Sequence, residues 1–132
     1  SIRLVGSEMC IRDRSYTERF VFNNNEISEN DLAILLEDVD RILGDDNATV
    51  FEILTSAFIK YAENFKDNVN IIEAGLFHRF DSTNVFKQNL LTLLGVIHLD
   101  HLNWLNDKTI DGVIYEKTVS LPKSKIFITL NR

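Results

Sequence analysis

His98 and His101, with Asp100 between them, form the densest group of metal-type ligands in the sequence. At i and i+3 both imidazoles would share one face of a helix. Zinc takes three or four ligands, and the third would have to come from His78 or a distant carboxylate. Leu94 and Leu105 flank the same face, so the pair reads as hydrogen-bonded histidines at the edge of a core. Neither a metal nor any other cofactor is expected. The second chemical candidate is a dense set of acids: Glu26, Glu29, Asp31, Glu37, Asp38, Asp40, Asp45 and Asp46. A catalytic carboxylate pair must converge in a cleft with separated pKa values. These acids spread around one helix and its ends, and those at its start favour the helix dipole. The functional alternative to a solvated face is a docking surface made by Ile34, Asp38, Asp40 and Asp45, because Ile34 projects from the acidic side. Asp38-Val39-Asp40 lacks the loop spacing of an EF-hand.

Several chemistries have no foothold. The five glycines are isolated, so there is no glycine-rich phosphate loop. No serine sits in a nucleophile-elbow pattern. The single cysteine, Cys10, falls in the N-terminal segment discussed below. Catalytic residues stay unassigned, and the reading leans away from an enzyme.

The elements that would position these residues follow from periodicity. Tyr16–Phe22 alternates apolar and polar and reads as a short strand, broken by Asn23-Asn24-Asn25. Ser28 is an N-cap, Asp31 occupies the capping-box position, and Ile27 and Leu32 are placed as a hydrophobic staple. Leu32, Leu35, Leu36, Val39, Ile42 and Leu43 then form one helical stripe, closed by Gly44. Glu37 and Arg41 are an i,i+4 pair on the outer side. Asp46 or Asn47 caps a second helix running to about Phe65. A short helix over Val69–Ala74 is stopped by Gly75, and Leu76–Phe80 adds one helical turn. Asp81 or Ser82 caps the longest helix, Asn84–Leu105. It is apolar nearly all round, as a helix central to a core would be, and Gly95 in its middle suits a close helix–helix approach. Asp111-Gly112 between Thr109-Ile110 and Val113-Ile114 signals a hairpin. Pro122–Lys125 makes a turn into a strand over Ile126–Leu130. The fold class is therefore mainly α with a small antiparallel sheet (α+β): three to four helices over 28–105, then a β-meander over 108–130, joined by a strand at 16–22.

Two resemblances bear on organisation. Val5-Gly6-Ser7-Glu8-Met9-Cys10-Ile11-Arg12-Asp13-Arg14 resembles translated sequencing-library adapter rather than a protein family. This implies that 1–14 is non-native, that 15–132 is a single N-terminally truncated domain, and that the native part has no cysteine. Asp46–Phe51 also lines up with Asp81–Phe86 at a shift of 35 residues, a period in the range of helical repeats. With Asn70–Leu76 resembling the short-helix turn of armadillo repeats, the similarity covers 47–105. The middle helix would be too short and the terminal strands have no place in that fold, so two similarly capped helices is the simpler reading.

Composition narrows the classes. The chain has 132 residues, 45% of them hydrophobic, and a net charge of −6. About 118 native residues suffice for one domain with a real core. Residues 15–64 carry eleven acids and three bases, whereas 108–132 carry two acids and five bases. The acidic front argues against a phosphate backbone as partner. The apolar run Leu90–Leu99 is too short for a membrane helix. Absence of a signal peptide, a membrane span and native cysteine points to the cytoplasm. Three functional readings remain. The first is a non-catalytic interaction domain that binds another protein through its acidic helical face. The alternative is a winged-helix-like nucleic-acid module, from helices followed by a basic hairpin turn; its weakness is a recognition helix too apolar to expose. The third is a fragment of an enzyme subunit.

Overall fold

The computed structural model describes residues 2–5, 15–65 and 67–129. The chain divides into two compact units, Ser1–Gly75 and Leu76–Arg132. Of the adapter-like segment 1–14, the backbone of Ile2–Val5 is described; 6–14, with Met9 and Cys10, lies outside the described residues.

In the first unit, Ser15 caps a 3-10 turn over Tyr16–Arg19, and only Val21–Phe22 of the expected strand is extended (β2). The side-chain oxygen of Ser15 accepts from the Thr17 amide and hydroxyl, which turns the chain where alternation alone suggested a strand. The Glu26 carboxylate lies 3.2 Å from the same hydroxyl of buried Thr17, whose one proton is shared between the two acceptors. β2 pairs antiparallel with β3 (Asn25–Glu26). The two residues between them, Asn23 and Asn24, have φ of 52° and 64°. Asparagine tolerates that left-handed region better than most residues, and a tight hairpin turn of the primed kind requires it twice.

Helix α1 (Glu29–Leu43) starts as its caps dictate. The Asp31 amide donates to Ser28 Oγ at 3.0 Å, and Ser28 Oγ donates to the Asp31 carboxylate at 2.8 Å. Ile27 and Leu32, the staple pair, are both buried. Gly44 ends the helix at φ 60°, a conformation glycine adopts at no steric cost. Leu32, Leu35 and Val39 face the core, whereas Ile42, expected in the same stripe, is 74% exposed. Arg41 bonds Asp38 at 3.0 Å rather than Glu37.

Helix α2 (Val50–Ala62) begins later than expected, because its cap is Thr49 and not Asp46 or Asn47. Thr49-Val50-Phe51-Glu52 is a complete capping box: the Glu52 amide donates to Thr49 Oγ1, and the Thr49 amide donates to the Glu52 carboxylate at 2.7 Å. The Thr49 amide and, second, the Thr49 hydroxyl, both donating to the carboxylate, hold the Glu52 carboxyl below its ordinary pKa. The two helices close over an apolar core of Phe20, Phe22, Leu35, Val39, Leu54, Ala57 and Phe58. At its centre Phe22 stacks on Phe58 (5.4 Å between ring centres) and on Phe65 (5.0 Å), and meets Tyr61 edge-on at 4.7 Å. Such pairs add to the burial of the rings themselves.

Val69–Ile72 is not a helix but a strand (β4), parallel to β1 (Ile2–Val5) in the register Ile2↔Val69 to Val5↔Ile72. Its apolar residues are β-branched, and a run this short cannot be told from a buried helix by period.

The second unit departs furthest from expectation. The stretch read as the longest helix holds strand β5 (Gln88–Leu94), a loop, and a 3-10 turn over Leu102–Trp104. Apolar residues on every side of a helical wheel are equally those of a strand apolar on both faces, which is the pattern of parallel sheets. β5 pairs parallel with β6 (Lys123–Ile128), and not within an antiparallel meander. Between them the expected hairpin at Asp111-Gly112 is instead helix α3 (Ile110–Thr118), capped by Thr109, whose hydroxyl accepts from the Gly112 amide. Gly112 serves packing rather than a turn: a Cβ there would run into the backbone carbonyl of Asp107. Gly95 has no close neighbour, so it marks no helix–helix approach. With strands at 69–72 and 88–94, the armadillo-like reading has no helices left to repeat. The mixed character survives: three helices with three two-stranded sheets among the described residues.

Two substitutions separate core from cap. Phe58→Ala should lower unfolding free energy by about 3–5 kcal/mol, as large-to-small changes of buried aromatics do. Thr49→Ala should lower it by only about 1 kcal/mol. Urea denaturation followed by circular dichroism reads both, and a reversed order would contradict the placement of the core.

Candidate functional site

The loop Leu76–Asn84 of the second unit concentrates more side-chain chemistry than its length suggests. Its centre is the Asp81 carboxylate. One oxygen accepts the Leu76 amide at 2.8 Å; the other accepts the Thr83 amide at 3.0 Å and the Thr83 hydroxyl at 2.6 Å. One side chain thereby ties both ends of the loop. Asn84 Nδ2 donates to the Arg79 carbonyl at 3.1 Å, and the Asn84 amide donates to the Asp81 carbonyl.

The loop is also fastened to α3. The Arg79 amide donates to the Glu116 carbonyl at 3.2 Å, and Arg79 Nη1 donates to Glu116 Oε1 at 3.1 Å. His78 Nδ1 lies 3.1 Å from Ser120 Oγ. The Arg79 guanidinium covers the Phe80 ring at 4.6 Å and the Tyr115 ring at 5.5 Å. Phe80 itself is 85% exposed. Burial pushes the His78 pKa down, and the nearby charge of Asp81 opposes part of that shift.

Phe77 stands at φ 54°, in the left-handed region that a bulky residue enters only under constraint. Its ring meets that of His101 edge-on at 6.1 Å, and His101 is also left-handed, at φ 54°. Strained backbone of this kind clusters where a loop must hold a functional shape. An anchored loop that presents an exposed aromatic ring is suited to holding a ligand in one orientation.

The residues singled out from sequence are placed as follows. His98 and His101 lie in a loop and not on one helix face, so the shared-face geometry does not arise. The His101 amide donates to Asp100 Oδ1 at 2.7 Å, and its Nε2 lies 3.5 Å from Asp100 Oδ2. Among the described residues, no three His, Cys, Asp or Glu side chains gather to hold a metal. Ile34, Asp38 and Asp40 lie on α1, with Asp45 just beyond it; Ile34 is half exposed. Asp38 receives Arg41 and, at 3.9 Å, Lys60. Asp40 and Glu37 border an apolar groove of about 500 Å³ with Tyr16, Leu36, Val50, Ile53 and Leu54. Sequence reasoning missed Arg79 and Glu116, and gave Asp81 only the role of a helix cap. The signal for Asp81 is the run Asp81-Ser82-Thr83-Asn84, four side chains that can bond nearby backbone in a turn as well as in a helix cap.

Comparison with known proteins bears on this geometry. No family model matches the chain. The chain is 47% identical over 70 residues to dihydrofolate synthase/folylpolyglutamate synthase of Bacillus subtilis; the match takes in 52% of this chain and 16% of that protein. The ligand-free bifunctional folylpolyglutamate synthase/dihydrofolate synthase from Yersinia pestis superposes with a TM-score of 0.75 at 28% identity, over 86% of this chain and 28% of that one. A folylpolyglutamate synthase solved in complex with AMPPCP superposes with a TM-score of 0.66 at 26% identity, over 83% and 29%. The chain thus spans about a sixth of the curated relative's length.

These likenesses overturn the leading sequence reading. A non-catalytic interaction domain with another protein as its partner does not fit a chain whose relatives are enzymes acting on small molecules. The winged-helix alternative loses its recognition helix to β5, and its basic turn, Pro122–Lys125, runs into β6, which pairs parallel with β5. The third reading, a piece of an enzyme, is the one the comparisons favour. For localisation, no helix among the described residues is long and apolar enough to cross a membrane.

The His78 shift sets a pH dependence. Its folded pKa lies below the unfolded value near 6.5, so the unfolded chain binds the proton more readily. The associated stability is present above that unfolded value and is lost as pH falls through it toward the folded pKa. Wild type should lose more urea resistance between pH 7.5 and pH 5 than His78→Asn does; equal losses would contradict the burial of a neutral imidazole.

Proposed function

We propose that the chain is part of an enzyme that joins L-glutamate to a folate through an amide bond, driven by a nucleoside triphosphate. The observation that carries the reading is the agreement in fold and sequence with the Yersinia pestis synthase over 86% of the chain. The Bacillus subtilis relative, with 47% identity over half of the chain, supports it independently. An amide does not form from a carboxylate and an amine in water without activation. A nucleoside triphosphate supplies that activation, in keeping with the AMPPCP held by one structural neighbour.

Within this reading the Leu76–Asn84 loop is a substrate-holding element. Asp81 fixes its shape from inside, and α3 fixes it from behind. Holding reactants in register is worth several orders of magnitude in rate, so a loop that merely orients a substrate contributes strongly to turnover.

The test is incorporation of labelled L-glutamate into a folate product by the full-length polypeptide. Incorporation should require the folate acceptor and the nucleoside triphosphate together. Asp81→Ala should reduce it by about tenfold or more, because small displacements of positioning groups carry costs of that order. A full-length protein that incorporates no glutamate under these conditions would end the proposal.

A further inference from the structure

We propose that Glu116 is a positioning residue for this reaction, acting through Arg79 to hold the Leu76–Asn84 loop in its ligand-binding shape. The inference rests on the functional reading above and extends it to a residue outside the loop. Asp81 closes the loop upon itself through its bonds to Leu76 and Thr83. The loop is also bonded to α3 and the turn that follows it. Glu116 contributes twice, with its carbonyl to the Arg79 amide and its carboxylate to the Arg79 guanidinium. Ser120, one turn further along the chain, takes the His78 imidazole.

The carboxylate has a second effect. By fixing the guanidinium it keeps the cation over the faces of Phe80 and Tyr115, where the ring quadrupoles attract it. Exposed Phe80 therefore owes its orientation to Glu116 at one remove. The carboxylate side chain is 21% exposed and that of Arg79 38%, so the pair is better shielded than a free surface ion pair. It spans 37 residues of sequence, which makes it a tertiary tie and not a local one.

The experiment compares full-length wild type, Glu116→Gln, and the exchanged double variant Arg79→Glu with Glu116→Arg. Hydrogen exchange reads the loop, and steady-state kinetics read the site. Glu116→Gln is isosteric and keeps the carbonyl bond, so the fold survives. Amides of 76–84 should exchange about three- to tenfold faster in it, as local openings become easier, while those of α1 stay unchanged. The KM of at least one substrate should rise about fivefold or more with kcat within about twofold, and the double variant should recover part of that loss, since the two residues are coupled. Unchanged exchange in Glu116→Gln would remove the tie. Faster exchange with every KM unchanged would overturn the positioning role while leaving the functional reading intact. A wild-type enzyme that ligates nothing would instead bring down the functional reading and the positioning role together, whatever the exchange shows.

Discussion

Parallel strand pairing sets the terms on which both units are built. Two parallel strands cannot be joined by a tight turn, because the chain must return to the same end before it pairs again. In the first unit the return from β1 to β4 contains the β2–β3 hairpin and the α1–α2 pair. In the second, the return from β5 to β6 contains the 3-10 turn and α3. The helices are thus the crossovers that parallel pairing demands. The aromatic core around Phe22 and Phe58 shows the result: residues from the hairpin and from both helices meet in one cluster.

The same constraint accounts for the candidate loop. α3 exists because β5 and β6 run the same way, and α3 is what the loop is tied to. Arg79 and His78 reach Glu116 and Ser120 across 37 and 42 residues of sequence. The Asp81 bonds are local and need only a loop that can close. Internal closure and external anchoring therefore come from different levels of structure, and both act on the loop that holds Phe77 in the left-handed region.

Legibility from sequence follows the range of the interactions. α1 was readable from Ser28 to Gly44 because its signals lie within a turn of its ends. The body of α2 was readable too, although Thr49 and Glu52 form a better box than the asparagine and aspartate chosen as caps. The errors fell on short or uniformly apolar stretches, Val69–Ile72 and Gln88–Leu94, where helical and strand patterns coincide. Asp111-Gly112 failed for another reason: the dipeptide that favours a hairpin lies in the first turn of a helix capped by Thr109, where glycine makes room for the Asp107 carbonyl. The candidate site was obscured by the same mistake, since a long helix drawn from Asn84 left no loop for Asp81 to organise.

By itself the sequence determined α1 with its caps, the body of α2, the apolar stripe they bury, and the want of a phosphate loop or nucleophile elbow in these residues. Each rests on contacts no more than about four residues apart, or on composition. Tertiary structure alone decided which apolar runs became strands, whether glycine served a turn or a close contact, and which residues surround the candidate site. The strand choices in β1, β4, β5 and β6 depend on partners from about 32 to 67 residues distant, as between Thr92 and Ser124 or Ile2 and Val69. A strand is defined by its neighbour, and no local pattern carries the identity of a neighbour so far along the chain.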